Sequence, residues 1–270
     1  MKNPFKNMKN RLKMEDRELP FLEHLEAFRQ MLFRCLISLA VCTFACIPFA
    51  RPLLQWLQAP LLHTAAQRGQ EFELITTSPV EGFLQVVKVV FATGVLISLP
   101  LLIFFIAQFV LPGLKPSERK VLAYGGFFGA FLFAGGVALC YFISLPVAVN
   151  IMFYFNDYLG TVANWKIEKY LGFVLQLLIG FGLAFELPLI LVIAGRMGLV
   201  TVEQLCRYRR HVGVGILVVA MLLTPPDIIT QLQMAIPLYI LYEGCIVILR
   251  LFNRRKAAEG EEPAKEGTEE

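Results

Sequence analysis

Charged residues are scarce in this sequence of 270 residues: they make up 17%, against 57% for apolar residues. The mean hydropathy of +0.62 is too high for a soluble domain of this length, which excludes a water-soluble protein and indicates a membrane protein. The sequence also lacks a contiguous basic stripe with interleaved aromatic residues. The net charge of +4 therefore does not indicate a nucleic-acid partner, because basic residues also set membrane topology.

Motifs for catalysis and metal binding are missing as well. There is no nucleotide-binding loop and no nucleophile beside a base, so no enzymatic activity is predicted. His24, His63 and His211 lie far apart, and the six cysteines include no CxxC pair. We interpret the cysteines as small packing residues and predict neither a metal nor a cofactor.

The two ends of the chain differ from its centre. Residues 1–34 are polar and lack the short apolar core of a cleavable signal peptide, so we expect the first span to act as the targeting signal. Residues 1–18, rich in Lys, Arg and Glu, are expected to form a flexible N-terminus, and residues 252–270 a disordered acidic tail. Residues 19–251 then form one membrane domain.

The membrane domain is predicted to be all-α and polytopic. From Leu19, apolar residues recur at three- and four-residue spacing, which indicates an amphipathic helix at the membrane surface that runs into the first span. Six apolar segments follow, and the last two depart from the usual length, so we predict six transmembrane helices of which the last two are short. The six are Leu32–Ala50, Leu84–Phe109, Val121–Leu145, Leu171–Ala194, His211–Leu223 and Gln231–Leu249.

Basic residues predict the orientation of these spans. They are concentrated in the N-terminal region, the second and fourth connections and the tail, whereas the opposite loops hold only Arg51, Arg68, Lys166 and Lys169. Because loops rich in Lys and Arg stay in the cytoplasm, both termini are predicted to be cytoplasmic.

Glu186 lies in the middle of the apolar run from Gly180 to Val192. A carboxylate at that depth costs roughly 2.5–3.5 kcal/mol on insertion scales, so it must face protein or trapped water. One interpretation is a structural carboxyl that hydrogen-bonds Gln176 or Gln108. Another is a polar point on a concave face that meets a partner's helix or a water-filled cavity. Lys88 and Glu243, also within spans, are interpreted as structural.

Four separated motifs resemble those of the TatC family, the large subunit of the twin-arginine protein translocase. The chain has His24-Leu25 with Arg29 where the family has HLxELR, and Phe185-Glu186-Leu187-Pro188 where it has FExP. The second connection, from Phe109 to Leu114 with Glu118-Arg119-Lys120, resembles FxxPxL…ERR, and Met221–Asp227 resembles MLLTPPD. The order of the motifs and the number of spans agree over nearly all of residues 19–251.

The first motif departs from the family pattern. Ala27 stands at its Glu position and Glu26 precedes it by one residue, which turns the side chain by about 100° around a helix. Pro225 and Pro226 end the fifth span, and Asp227 is interpreted first as a turn or capping residue for the sixth and second as a subunit contact.

The resemblance implies a receptor in the bacterial cytoplasmic (inner) membrane that reads twin-arginine signal peptides of folded precursors. It implies assembly with TatA-like and TatB-like single-span subunits, an oligomeric complex and export driven by the proton motive force. Glu118 is the expected acceptor for a guanidinium, aided by Arg119, His24, Glu26 and Arg29. Glu186, Pro188, Pro225, Pro226 and Asp227 are the expected subunit-contact or transport residues.

Two other functions stay open from the residues alone. One is a proton-coupled small-solute transporter with Glu186 as relay, although such proteins usually contain internal repeats and none is found here. The other is a scaffold for membrane-protein assembly, which would not bind Arg-Arg signal peptides.

Overall fold

The computed structural model describes the backbone of residues 4–69, 72–110, 116–196, 200–223 and 228–260. Side chains are described for residues 24–69, 72–106, 108–109, 126–195, 200–223 and 228–251. Within these residues the chain is helical, as predicted, and a single β-bridge, Ile75 to Lys166, is the only strand-like pairing.

Nine α-helices follow one another along the described chain. They are α1 Pro4–Cys46, α2 Ala50–Gln67, α3 Pro79–Val110, α4 Pro116–Leu139, α5 Leu145–Tyr158, α6 Ile167–Arg196, α7 Val202–Arg207, α8 Arg209–Leu223 and α9 Ile228–Gly260. A 3₁₀ turn, Ile47–Phe49, separates α1 from α2, and a π-helical segment, Cys140–Ser144, joins α4 to α5.

Five stretches of the described chain are long and apolar enough to cross a membrane. They are His24–Gln67, Pro79–Ile106, Gly126–Tyr158, Ile167–Gly195 and Ile228–Leu251. The fifth predicted span corresponds to α8, whose 15 residues extend about 22 Å and fall short of a hydrocarbon core of about 30 Å. The prediction that the sixth span is also short was wrong, because the apolar part of α9 has 24 residues.

Several predicted boundaries also shift. The amphipathic segment and the first span form one helix, α1, which ends at Cys46 because Pro48 interrupts it before Ala50. The first outer connection contains a helix, α2, with Pro60 inside it. The third span does not end at Leu145 but continues through the π-helical segment to Tyr158. The first helix begins at Pro4 and the last ends at Gly260.

Helix α6 is the centre of the packing. In the most apolar part of Ile167–Gly195, 56% of the residues are buried, whereas in the most apolar part of His24–Gln67 only 6% are buried. Helix α6 is therefore the core helix and α1 the peripheral one. Its buried side chains pack with those of α2, α5 and α9 in one cluster that includes Leu61, Phe153, Phe181 and Tyr242. Large apolar side chains cover the outside, as expected for lipid contact.

Two carbonyls of α2 accept hydrogen bonds from tyrosine hydroxyls elsewhere in the chain. Pro60 has no N–H, so the Trp56 carbonyl loses its donor within α2. The hydroxyl of Tyr141, in the π-helical segment, donates to that carbonyl at 2.8 Å, and the two rings stack at 3.8 Å. Tyr170 of α6 donates to the Leu57 carbonyl at 3.0 Å. Helix α2 is thereby attached to the core.

Candidate signal-peptide and transport sites

The first described side chains of α1 pack on the end of α3. The His24 ring lies 4.6 Å from the Phe109 ring, and the Phe28 ring lies 5.7 Å from it, centroid to centroid. Further along α1, Arg34 donates to the Gln108 amide oxygen at 3.4 Å. The aromatic contacts hold the first motif of the chain against Phe109, the first residue of the second motif.

Charged residues beside this junction are already partly paired. Arg29 forms an ion pair with Glu26 at 2.5 Å, and the side chains are 65% and 48% exposed. Exposed pairs of this kind contribute only about 0–1 kcal/mol, so another guanidinium could exchange with Arg29 at little cost. Glu26 is therefore an accessible carboxylate on α1 in spite of its displacement from the family position.

The other predicted signal-peptide residues are on α4. Glu118 and Arg119 lie in its first turns, and their side chains fall outside the described residues. Pro225, Pro226 and Asp227, between α8 and α9, also lie outside the described residues.

Glu186 is buried inside the helix packing rather than open on a surface. Its side chain is 3% exposed, and Oε2 has no hydrogen-bond donor among the described residues. The carboxylate lies against α4 at Gly129, where a Cβ would come within 2.9 Å of Oε2. The Gln partners suggested by the sequence are elsewhere, because Gln176 is exposed and Gln108 accepts from Arg34.

Helix α4 connects the two candidate regions. Gly129 lies roughly 16 Å along the helix from Glu118 at 1.5 Å per residue. Pro188, two residues after Glu186, is buried within α6 and cannot donate to the Ala184 carbonyl. The Pro188 carbonyl accepts from the Cys245 thiol of α9 at 3.3 Å. The neighbourhood of Glu186 is thus more polar than its sequence suggests.

Sequence analysis did not predict the contact made by Phe28, the close approach at Gly129 and Gly136, or the partner of Glu243. Phe28 was assigned only to an apolar stripe, yet it contacts Phe109. Gly129 and Gly136 recur at a seven-residue spacing, which puts both on one helix face and could have indicated close approach. Glu243 pairs with Arg209 of α8 at 2.9 Å, consistent with its structural interpretation, but sequence spacing gave no sign of that partner.

These features define a polytopic α-helical membrane protein. Among the described residues, the buried Glu186 Oε2 has no donor, and no cluster is able to hold a metal ion. The sequence profile described as "Sec-independent protein translocase protein (TatC)" matches residues 23–237. The chain belongs to the TatC family and is a membrane protein of the twin-arginine translocase.

Individual relatives agree with this assignment. The Sec-independent protein translocase protein TatC of Desulforapulum autotrophicum is 36% identical over 93% of this chain and 92% of its own. The chloroplastic protein of Arabidopsis thaliana is 33% identical over 89% of this chain and 69% of its own. A crystal structure of the twin arginine translocase receptor TatC superposes with a TM-score of 0.73 and 30% identity, over 83% of this chain and 98% of that one. The solute-transporter alternative receives no support from these comparisons.

Proposed function

We propose that this chain is the receptor subunit of the translocase and binds the Arg-Arg signal peptides of folded precursors on the cytoplasmic face of the bacterial inner membrane. The observation that carries the proposal is the aromatic junction of His24 and Phe28 with Phe109. It brings the α1 motif to the point where the chain leaves α3 for Glu118. The related crystal structure is that of a twin arginine translocase receptor, and this likeness supports the same role.

Two carboxylates serve two arginines in this proposal. Glu118 accepts one guanidinium, since a carboxylate can take two parallel N–H donors from its planar fork. Glu26 accepts the other after exchange with Arg29, and Arg119 and His24 border the same site. The ion pairs alone supply little affinity in exposed positions, so the apolar part of the signal peptide must be buried as well.

The unsatisfied Glu186 Oε2 is the proposed point of contact with a single-span partner. Polar groups inside a membrane bundle seek partners because hydrocarbon offers none. A TatA-like or TatB-like helix carrying a hydrogen-bond donor would satisfy it after a small opening between α4 and α6. Pro188 and the Pro225-Pro226-Asp227 turn complete the proposed assembly and transport region, with export driven by the proton motive force.

The test compares the effects of substituting Glu118 and Glu203 on the affinity for an Arg-Arg precursor. Glu118→Gln should weaken binding of an Arg-Arg precursor about fivefold, as expected for loss of roughly 1 kcal/mol, and Glu118→Asp should weaken it less. Glu203→Gln, which alters an exposed carboxylate in the first turn of α7, is the matched control and should bind normally. Binding is measured by titrating membranes that contain each variant with the labelled precursor.

A Lys-Lys precursor distinguishes specific recognition of the two guanidinium groups from nonspecific attraction of cations to a carboxylate. Crosslinks from a photoreactive side chain placed at position 117, beside the intact Glu118, should fall when the Arg-Arg pair is replaced by Lys-Lys, because an ammonium cannot form the bidentate pair. Equal affinity of Glu118→Gln and the unaltered protein for the Arg-Arg precursor would remove Glu118 from the site.

A further inference from the structure

A cleft of about 650 Å³ lies where α5 ends and α6 begins, at the opposite end of α3 from the His24–Phe109 junction. Its volume falls within the range of about 300–1,000 Å³ that small-molecule sites occupy. The walls are mostly apolar and include Met152, Phe155 and Phe173. Because two membrane-spanning helices end here, the cleft lies at the interface between hydrocarbon and water.

The mouth of the cleft carries two cations. Lys166 and Lys169 line it, both are exposed, and neither ammonium has an ion-pair or hydrogen-bond partner among the described residues. The Asn156 and Asn164 side chains line the same cleft, and the Asn156 amide oxygen already accepts from Thr161 at 3.4 Å. The polar groups left for a ligand are therefore mainly donors.

Backbone hydrogen bonds hold the chain on both sides of Lys166. The Ile75 N–H donates to the Trp165 carbonyl at 3.1 Å, and the Ile167 N–H donates to the Ile75 carbonyl at 3.1 Å, so the chain around Lys166 is paired on both sides. The Trp165 ring stacks on Phe153 at 4.7 Å. The cleft therefore exists before any ligand arrives.

Among the described residues, no acidic side chain forms an ion pair with either lysine. Asp157 is paired with Arg68 at 2.8 Å, and Glu81 Oε2 accepts from the Thr77 and Ser78 backbone. Glu168 lies between the two lysines in sequence but does not line the cleft. The start of α6 at Ile167 adds the positive end of its helix dipole.

We infer that this cleft binds one anionic phospholipid of the bilayer, with the phosphate between Lys166 and Lys169 and an acyl chain along Phe155 and Phe173. An apolar wall that ends in two unpaired cations is complementary to a molecule with a long apolar chain and an anionic head. A zwitterionic lipid would bring its own cation to the lysines. The proposed signal-peptide site lies at the other end of α3, beside Phe109, so the inference does not depend on the proposed function.

The experiment measures lipid retention by the purified, full-length protein. Native mass spectrometry in detergent follows titration with phosphatidylglycerol and, separately, with phosphatidylcholine. The Lys166→Gln/Lys169→Gln variant should bind phosphatidylglycerol at least about tenfold more weakly, since each basic residue near an anionic membrane surface contributes about a fivefold factor. Lys166→Arg/Lys169→Arg should retain it. Arg51→Gln, which removes an exposed cation that does not line the cleft, is the matched control.

Three results would overturn the inference. The first is equal retention of phosphatidylglycerol by the double Gln variant and the unaltered protein. The second is equal retention of the two lipids by the unaltered protein, which needs no variant and holds even if the double variant fails to fold. The third is displacement by inorganic phosphate at the lipid's own concentration, which would make the site one for a free anion. Selective retention with loss only in the Gln variant supports it.

Discussion

The buried Glu186 Oε2 lowers the stability of the isolated protein, and in the proposed function it is the point of contact with a partner helix. The side chain is 3% exposed, and no described residue donates to Oε2. A buried acceptor without a donor costs about 1–3 kcal/mol, because it has lost water and gained nothing. Glu243, on α9, has a partner in Arg209 and bears no such cost. Two carboxyls inside membrane-spanning helices therefore differ in what removing them should do.

Glu186→Leu should make the isolated protein more stable and the translocase less active. Replacing an unsatisfied carboxyl by an apolar side chain of similar size should raise the free energy of unfolding by about 1–3 kcal/mol. Precursor transport should fall at the same time, since a polar partner loses its acceptor. Thermal unfolding in one detergent and transport into inverted membrane vesicles measure the two effects.

Glu243→Leu is the matched control for that substitution. It removes a carboxyl that is paired with Arg209 and about one-third exposed, so stability should change little or fall, by about 0–1 kcal/mol. A lower unfolding temperature for Glu186→Leu would mean that the carboxyl is satisfied within the subunit. Unchanged transport by the same variant would remove its proposed role in assembly.

Helices α4 and α6 approach closely because glycines stand where they cross. A Cβ on Gly136 would come within 2.9 Å of the Phe181 carbonyl and 2.7 Å of the Phe185 ring, whereas a Cβ on Gly135 would meet nothing within 4 Å. A Cβ on Gly182 would in turn come within 2.5 Å of the Phe133 ring. Small residues have this role in membrane bundles, where close backbone packing stabilises helix association.

Gly136→Ala should separate α4 from α6 and destabilise the protein by about 1–3 kcal/mol, the usual cost of overpacking. Gly135→Ala should be neutral or slightly stabilising, since alanine favours the helix over glycine by about 1 kcal/mol. Both variants are measured by thermal unfolding in detergent. Equal stability of the two would show that the backbone contact at Phe181 does not limit the packing.

Elements that depend on apolar length were predictable, and those that depend on tertiary partners were not. Helices α3, α6 and α9 contain the segments predicted from hydropathy alone. Helix α2 was missed because its stability depends on Tyr141 and Tyr170, which donate to its carbonyls from distant parts of the chain. Hydropathy cannot detect the π-helical segment either, because Cys140–Ser144 is as apolar as its neighbours.

For the candidate sites, too, the sequence predicts which residues are unusual but not which residues they contact. The depth of Glu186 in an apolar run predicted a buried carboxyl, but only the fold places it against Gly129. Glu26 was recognised as displaced by one residue, yet its pairing with Arg29 depends on side-chain geometry that spacing does not determine. The contact of His24 with Phe109 joins residues 85 positions apart in sequence and required the fold.

The topology of the whole molecule depends on whether α8 crosses the membrane. Its 15 residues span about 22 Å, short of about 30 Å of hydrocarbon. Yet Val214 and Leu222 are 62% and 70% exposed, which suits lipid contact. A short helix can cross where the bilayer thins locally, at a cost of a fraction of a kcal/mol for each ångström of mismatch. We therefore expect six spans and both termini in the cytoplasm.

Single cysteines placed in a variant without the six native ones test this topology with an impermeant maleimide on spheroplasts. Val162→Cys, in the exposed connection between α5 and α6, should be labelled from outside, and so should Thr224→Cys, beyond the end of α8. Lys2→Cys and Lys265→Cys should react only after the membrane is opened. If α8 does not cross, α9 would carry the chain outward, so Lys265→Cys would be labelled from outside and Thr224→Cys would not. Thr224→Cys and Lys265→Cys must therefore give opposite labelling results in either topology. One labelling series thus decides whether the chain has five or six spans.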